Sequence, residues 1–199
     1  MSKLVKSYSD DLIEVGIDEA GRGPFFGRVY AAVVKWPQNL ENDEIKDSKK
    51  ISSKKRKILK SWIEENVLDF AIGYAEVDEI EKINILQASF LAMHRALDKL
   101  EKITPELILV DGNKFKKYNN IDFLCIPKGD DKFLSIAAAS ILAKEYHDEY
   151  ILELCHKDPT LDIKYNLVAN KGYGTKAHRD GLLKFGMTKY HRKSFIKFL

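Results

Sequence analysis

Asp18 and Glu19 stand side by side within Gly16-Ile-Asp-Glu-Ala-Gly-Arg-Gly-Pro24, and two glycines flank Arg22 directly after them. Adjacent carboxylates at the end of an extended segment can hold a hard divalent cation beside phosphate. Gly21 and Gly23 leave the backbone open to close approach by a ligand, a sugar hydroxyl among the candidates. The turn is not GxGxxG and no GxxxxGK[ST] occurs, so neither a dinucleotide fold nor a P-loop is supported. Two more acids occupy comparable places: Asp111 follows the apolar run Leu107-Ile-Leu-Val110, and Asp130 follows Lys128-Gly129 ahead of a long helical stretch. Four converging carboxylates would repel one another, whereas two divalent ions would keep them ionised and activate water against a phosphodiester. Taken singly, Asp111-Gly112-Asn113 is also ordinary turn chemistry and Asp130 could simply cap the next helix.

The elements that must position these acids follow from periodicity. Leu12 to Asp18, Val29 to Trp36, Leu68 to Val77, Leu107 to Val110 and Ile121 to Ile126 read as strands. Ser52 or Ser53 can cap a helix to about Asn66, and Asn84 with Gln87 forms a capping box for a helix to about Lys102. Along that helix Leu86, Phe90, Met93, Leu97 and Leu100 recur at three and four, a core stripe. Helices are also expected from about Lys132 to Cys155, with close-packing alanines at 137, 138, 139 and 143, and from Thr175 to Phe185. Strands first, then strand and helix alternating, describe an α/β fold: a mixed sheet flanked by helices, with a C-terminal helical extension. No linker, repeat or low-complexity segment divides the 199 residues, so one domain over 1–199 is expected.

Charge is unevenly placed. Lys46 to Lys60 holds eight bases and one acid, and Lys171 to the C-terminus repeats that ratio, so the rest of the chain is acidic although the net charge is only +3. Basic residues gathered in two windows fit a polyanionic partner, although charge runs are also common on solvated helix faces. Cys125 and Cys155 lack CxxC spacing and the five histidines lack HExxH, which argues against a disulfide scaffold or zinc. With no apolar run near the roughly 18 residues of a membrane span and no signal core at the start, the cytoplasm is the expected compartment.

These residues resemble those of type 2 ribonuclease H, the ribonuclease HII family. The likeness runs nearly the whole length: the Gly16–Pro24 block, Asp47-Ser-Lys-Lys50, Val110-Asp-Gly-Asn113, Lys128-Gly-Asp130, Ser135-Ile-Ala-Ala-Ala-Ser-Ile-Leu-Ala-Lys144, Lys171-Gly-Tyr-Gly-Thr-Lys-Ala-His178 and His191-Arg-Lys-Ser-Phe195. Each block is modest alone, and their common order is specific. The resemblance implies a ribonuclease H-like fold whose C-terminal helical portion, from about residue 160, closes over substrate. It implies endonucleolytic cleavage of RNA in RNA/DNA hybrids, and at ribonucleotides embedded in duplex DNA, on the 5′ side and leaving 3′-hydroxyl and 5′-phosphate ends. Asp18, Glu19, Asp111 and Asp130 would hold two Mg²⁺ or Mn²⁺ ions, with Asp18 bridging them. Gly21, Arg22 and Gly23 would read the 2′-hydroxyl, the group that separates RNA from DNA. Tyr173 would bond that hydroxyl or stack on the next deoxyribose. Lys49, Lys128, Ser135, Ser140 and Lys144 would position the backbone or support the acids, although Ser140 and Lys144 also suit plain helix packing and solvation.

Three positions depart from the family pattern: Arg28 where proline is usual, Phe26 where alanine is common, and Asn170 where histidine is frequent. The sister family, ribonuclease HIII, usually carries Gly-Thr-Gly at the turn, so type 2 is favoured. A non-catalytic nucleic-acid-binding module and another two-metal nuclease, such as a DNA exonuclease, stand as alternatives. The final Phe195-Ile-Lys-Phe-Leu199 could dock on a partner such as a sliding clamp, with folding back on the core the preferred expectation; a monomer is expected.

Overall fold

The computed structural model describes residues 4–199. Three strands, β1 (Glu14–Ala20), β2 (Val29–Lys35) and β3 (Asp69–Ala75), form an antiparallel meander. Two more, β4 (Leu107–Asp111) and β5 (Asp122–Ile126), add in parallel on the free side of β1, giving the order β3-β2-β1-β4-β5. The helices are α1 (Ser53–Asn66), α2 (Val77–Leu97), α3 (Leu134–Lys157), α4 (Thr160–Tyr165), α5 (Leu167–Asn170) and α6 (Lys176–Phe185). The expected mixed sheet flanked by helices, with a helical C-terminal extension, is the observed architecture.

Alternation of side chains along the strands divides the core between two layers. Val15, Ile17, Val29, Ala31 and Val33 face α2, meeting Ala88, Phe90, Met93 and Ala96. On the other face Ala32 and Val34 meet Leu59 and Ile63 of α1 and the alanines of α3. Those alanines let α3 lie close over the sheet, with Ser135 packed onto Gly16. A third apolar cluster, including Phe26, Ile151, Tyr165, Leu167 and Leu182, ties the C-terminal helices to the end of α3.

Two readings from periodicity need correction. The third strand ends at Ala75, because Glu76 and Glu79 form a capping box that starts α2 there. The helix expected from Asn84 is the second half of α2: Asn84 breaks the helix with φ 65° and ψ 165°, and its Oδ1 accepts the amides of Leu86 (3.0 Å) and Gln87 (3.2 Å). That helix stops at Leu97 rather than near Lys102. The short helices α4 and α5 carry too few turns to show a period.

Four of the eight bases in the first window pair with acids. Buried Arg56 meets Glu145 at 2.5 Å and Asp148 at 3.5 Å, and donates to the carbonyls of Ser48 and Ile51. Asp148 also accepts from Lys144 at 2.7 Å and His147 Nδ1 at 3.0 Å. Lys60 pairs with Glu149, Lys55 with Glu44 and Lys50 with Asp131. Arg56 and Lys60 therefore hold α1 to α3. Among the described residues no helix is long and apolar enough to cross a membrane.

Candidate active site

Parallel pairing of β1 with β4 aligns Ile17 with Val110, so Asp18 and Asp111 leave the same edge of the sheet as neighbours. Asp130 arrives on the 3₁₀ turn Gly129–Asp131 after β5, where the Gly129 amide donates to Asp111 Oδ1 at 2.7 Å. The residue before it, Lys128, is exposed and holds a left-handed φ of 56°. Oxygens of Asp18, Asp111 and Asp130 lie within 4.8 Å of one another. Glu19 stands outside this triad. One residue along an extended strand it faces the opposite side from Asp18, towards α2, and Arg22 Nη1 holds its Oε1 at 2.8 Å. A cleft of about 320 Å³ opens there, lined by Glu19, Arg22, Leu86, Phe90, Met93 and Asp111.

The triad is electrostatically unfavourable as it stands. Burial first, then the charges of Glu19 and Asp111, push the Asp18 carboxyl well above its ordinary value against the opposing bond from the Glu19 amide. Burial also raises Glu19, offset in part by Arg22. Asp130 is pushed up to about 6 by burial and by Asp111 and Asp47, with Lys49 acting the other way. Lys49 answers the same field: burial works against its charge, yet Asp47, Asp18, Asp130 and Asp111 raise it overall. Clustered hard oxygen donors that resist ionisation alone are the donor set a divalent cation relieves. This is a metal-binding site by donor chemistry.

The glycine turn lies beside Tyr173. Gly21 has φ +89°, and a Cβ there would stand 2.5 Å from the His147 ring. At Gly23 a Cβ would come 3.3 Å from Tyr173 Cε1. Arg22 and Gly23 are exposed, as is Tyr173. Lys144, bonded to Asp148, has its Nζ 5.5 Å from the centre of the Tyr173 ring. Two serines expected near substrate are buried instead. Ser135 is 2% exposed against Gly16, and Ser140 bonds Ser48 at 2.8 Å. Ser135 packs between α3 and the sheet, and Ser140 ties α3 to the turn Ser48–Lys50.

Local structure accounts for the three departures. Arg28 is bidentate to Glu76, at 2.9 and 2.5 Å, and lies between the rings of Tyr74 and Tyr150 at 4.2 and 4.4 Å. Phe26 fills the C-terminal cluster and is fully buried. Asn170 donates to Tyr165 O at 2.7 Å and accepts from Gly172 N at 2.8 Å, fixing the turn before Tyr173. The residues under the turn, His147, His178, His191 and Arg192, carried no assigned role in sequence reasoning. Three of them lie in the blocks Lys171–His178 and His191–Phe195, a signal that was present without a reason attached.

A mixed five-stranded sheet with three clustered carboxylates, buried Asp18 and Asp130 and half-buried Asp111, at the adjoining ends of β1, β4 and the turn after β5 defines a ribonuclease H-like, metal-binding nuclease. The solved structures agree on the fold. The ribonuclease H2 of Pyrococcus horikoshii OT3 superposes with a TM-score of 0.71 at 24% identity, covering 91% of this chain and 92% of the other. The PCNA:RNase HII complex from Archaeoglobus fulgidus gives 0.72 at 21% identity over 94% and 96%. Sequence narrows the class. The ribonuclease HII family model matches residues 15–198, and a ribonuclease HII of Parabacteroides distasonis is 50% identical over 92% of this chain and 89% of its own. The chain belongs to the ribonuclease HII family. It is an endonuclease that hydrolyses RNA in RNA/DNA hybrids and acts at ribonucleotides within DNA.

Proposed function

We propose that Asp18, Glu19, Asp111 and Asp130 hold two divalent cations, Mg²⁺ or Mn²⁺, and that the Gly21–Gly23 turn with Tyr173 selects the ribonucleotide 5′ of which the strand is cut. The observation that carries this reading is the triad, whose oxygens lie within 4.8 Å of one another, with burial and the neighbouring carboxylates pushing Asp18 above its ordinary value. When bound, the cations supply Lewis acidity at the scissile phosphate and a water activated as nucleophile. The chain's own groups do the rest. Asp18, Asp111 and Asp130 would hold the cations and so fix where the reacting phosphate sits. Glu19, tethered to Arg22, links the acidic edge to the turn. Exposed Lys49 and Lys128 meet phosphates on the backbone.

Discrimination falls to the turn. Gly21 supplies the left-handed backbone that packs on His147, the amides of exposed Arg22 and Gly23 can approach a 2′-hydroxyl, and Tyr173 rests against Gly23 where the next sugar would lie. In this reading Lys144 steadies the Tyr173 ring, while Ser135 and Ser140 act only through the packing of α3. The C-terminal portion from about residue 160 brings Tyr173 over the duplex as part of one domain that works as a monomer. The tail folds back: Ile196 is buried and Phe198 lies 6.1 Å from Phe25. Docking on a sliding clamp would therefore use only its last residues.

The test is incision of an end-labelled DNA duplex containing one ribonucleotide, beside an all-DNA control, in Mg²⁺ and then Mn²⁺. A cut on the 5′ side of the ribonucleotide alone is expected. Cutting of the control would move the chain to another nuclease class, and a fully active Asp18→Asn variant would remove the site assignment.

A further inference from the structure

Arg192 is fully buried, and its guanidinium makes five hydrogen bonds, all to main-chain carbonyls of one loop. Nε donates to Gly27 O (2.8 Å), Nη1 to Arg22 O (3.3 Å) and Pro24 O (2.9 Å), and Nη2 to Gly21 O (2.7 Å) and Arg28 O (2.9 Å). Five donors are all a guanidinium has. The loop thus wraps the charge, and backbone bonds from Arg192 N to Phe25 O and Gly27 N to Tyr190 O close it. In a trans peptide the C=O and the following N–H point in opposite directions. Drawing the carbonyls of Gly21 and Arg22 inward therefore turns the amides of Arg22 and Gly23 outward, at two exposed residues.

The preceding residue reaches the other reading group. The Thr188 amide donates to His191 Nδ1 at 2.9 Å, so the proton of that ring sits on Nε2. That Nε2 lies 3.1 Å from His178 Nε2, which must accept, leaving His178 Nδ1–H to donate to Tyr173 O at 3.0 Å. One neutral tautomer pair satisfies every partner in the chain. Burial, then the neighbouring His178, holds His191 down to about 3, so the pair stays neutral in the ordinary working range.

We propose that the consecutive residues His191 and Arg192 are a single positioning element for ribonucleotide selection: Arg192 aims the amides of the Gly21–Gly23 turn, and His191, through His178, fixes the backbone of Tyr173. The two groups that meet the ribonucleotide thereby keep a set spacing. This rests on the reading of the turn and of Tyr173 given above. A buried cation bonded only to neutral carbonyls carries a desolvation cost that an apolar side chain of equal volume avoids. What the guanidinium adds is control of where the loop's dipoles point.

The test compares Arg192→Lys, His191→Gln, Tyr173→Ala and the His191→Gln/Tyr173→Ala double variant on a duplex with one ribonucleotide and on an all-DNA duplex. Folding and Mn²⁺ binding are followed by thermal shift. Arg192→Lys and His191→Gln should each lower kcat about 10- to 100-fold, the scale of small misplacement at a reacting centre, with the Mn²⁺-induced shift retained. His191→Gln should have no further effect once Tyr173 is alanine. Wild-type kcat in the folded variants, or a His191→Gln loss that multiplies with the Tyr173→Ala loss, would overturn the proposal. If Arg192→Lys does not fold, His191→Gln decides by the same two criteria. A wild-type enzyme that cuts both duplexes alike would instead remove the reading of the turn itself, and the inference with it.

Discussion

Two buried polar regions border the Gly21–Gly23 turn, and they treat charge in opposite ways. At the C-terminal segment each donor of Arg192 finds a carbonyl, and each nitrogen of His178 and His191 finds a partner. At the sheet edge Asp18, Asp111 and Asp130 crowd one another, eased only in part by the Glu19 amide on Asp18, the Gly129 amide on Asp111 and the charge of Lys49 on Asp130. Satisfied groups specify structure, whereas crowded like charges are a stored demand for a ligand. The difference separates the scaffold of the turn from the chemistry beside it. Four measurements would break or sharpen that separation.

Asp18→Asn should give the largest effect. Hydrolysis should fall by a factor on the order of 10³ or more, the scale seen when a group stabilising transition-state charge is removed. Thermal stability should hold or rise, because the variant relieves repulsion and desolvation at a buried carboxylate. A steep loss of melting temperature would show the triad to be structural after all, and the contrast would fail.

Arg56→Met tests the opposite kind of site, a buried charge with its partners present. Removing it strands Glu145, while Asp148 keeps Lys144 and His147, and should destabilise the chain by about 3–5 kcal/mol. Activity per folded molecule should change little, which denaturant melts and burst-normalised rates would check. Metal addition comes next. Mn²⁺ at about a hundred times its dissociation constant should stabilise the wild type by about 2.7 kcal/mol, and Asp18→Asn should lose that response. An equal response in both proteins would place the ion elsewhere.

How much of this was legible in the sequence follows the same division. The acids were visible because Asp18-Glu19, Asp111 and Asp130 each end an apolar run or open a helix, and strand period alone puts such ends at a sheet edge. What period could not show was that Glu19 turns away to Arg22, since that depends on which face of β1 meets α2. Arg192 looked like one more base in a basic tail, because its five partners are backbone carbonyls 164 to 171 residues earlier and carry no side-chain signature. Ser135 and Ser140 resembled polar contacts until α3 was seen to press them against Gly16 and Ser48. The helical segment before Asn84 was hidden by the strand-like residues preceding it, and by a capping signal that belongs to the second half of α2.

The smallest effect is the most discriminating, because the two regions should respond to pH with opposite signs in the metal-free protein. Asp130 is pushed from its ordinary 3.8 up to about 6, so the native state holds a proton that the unfolded chain releases. Its contribution to stability is full below about 3.8 and is lost as pH rises through about 6. His191 is held from 6.5 down to about 3, so here the unfolded chain binds the proton first. Its contribution is full above about 6.5 and is lost as pH falls towards about 3. Between those limits the two terms oppose one another in the pH dependence of stability. Asp130→Asn should therefore steepen the rise of melting temperature from pH 4 to pH 6, and His191→Gln should flatten it. Both slopes moving the same way would mean that the histidine pair and the acids belong to one coupled cluster. Opposite movements would separate an acidic cluster that awaits positive charge from a histidine pair that must stay neutral.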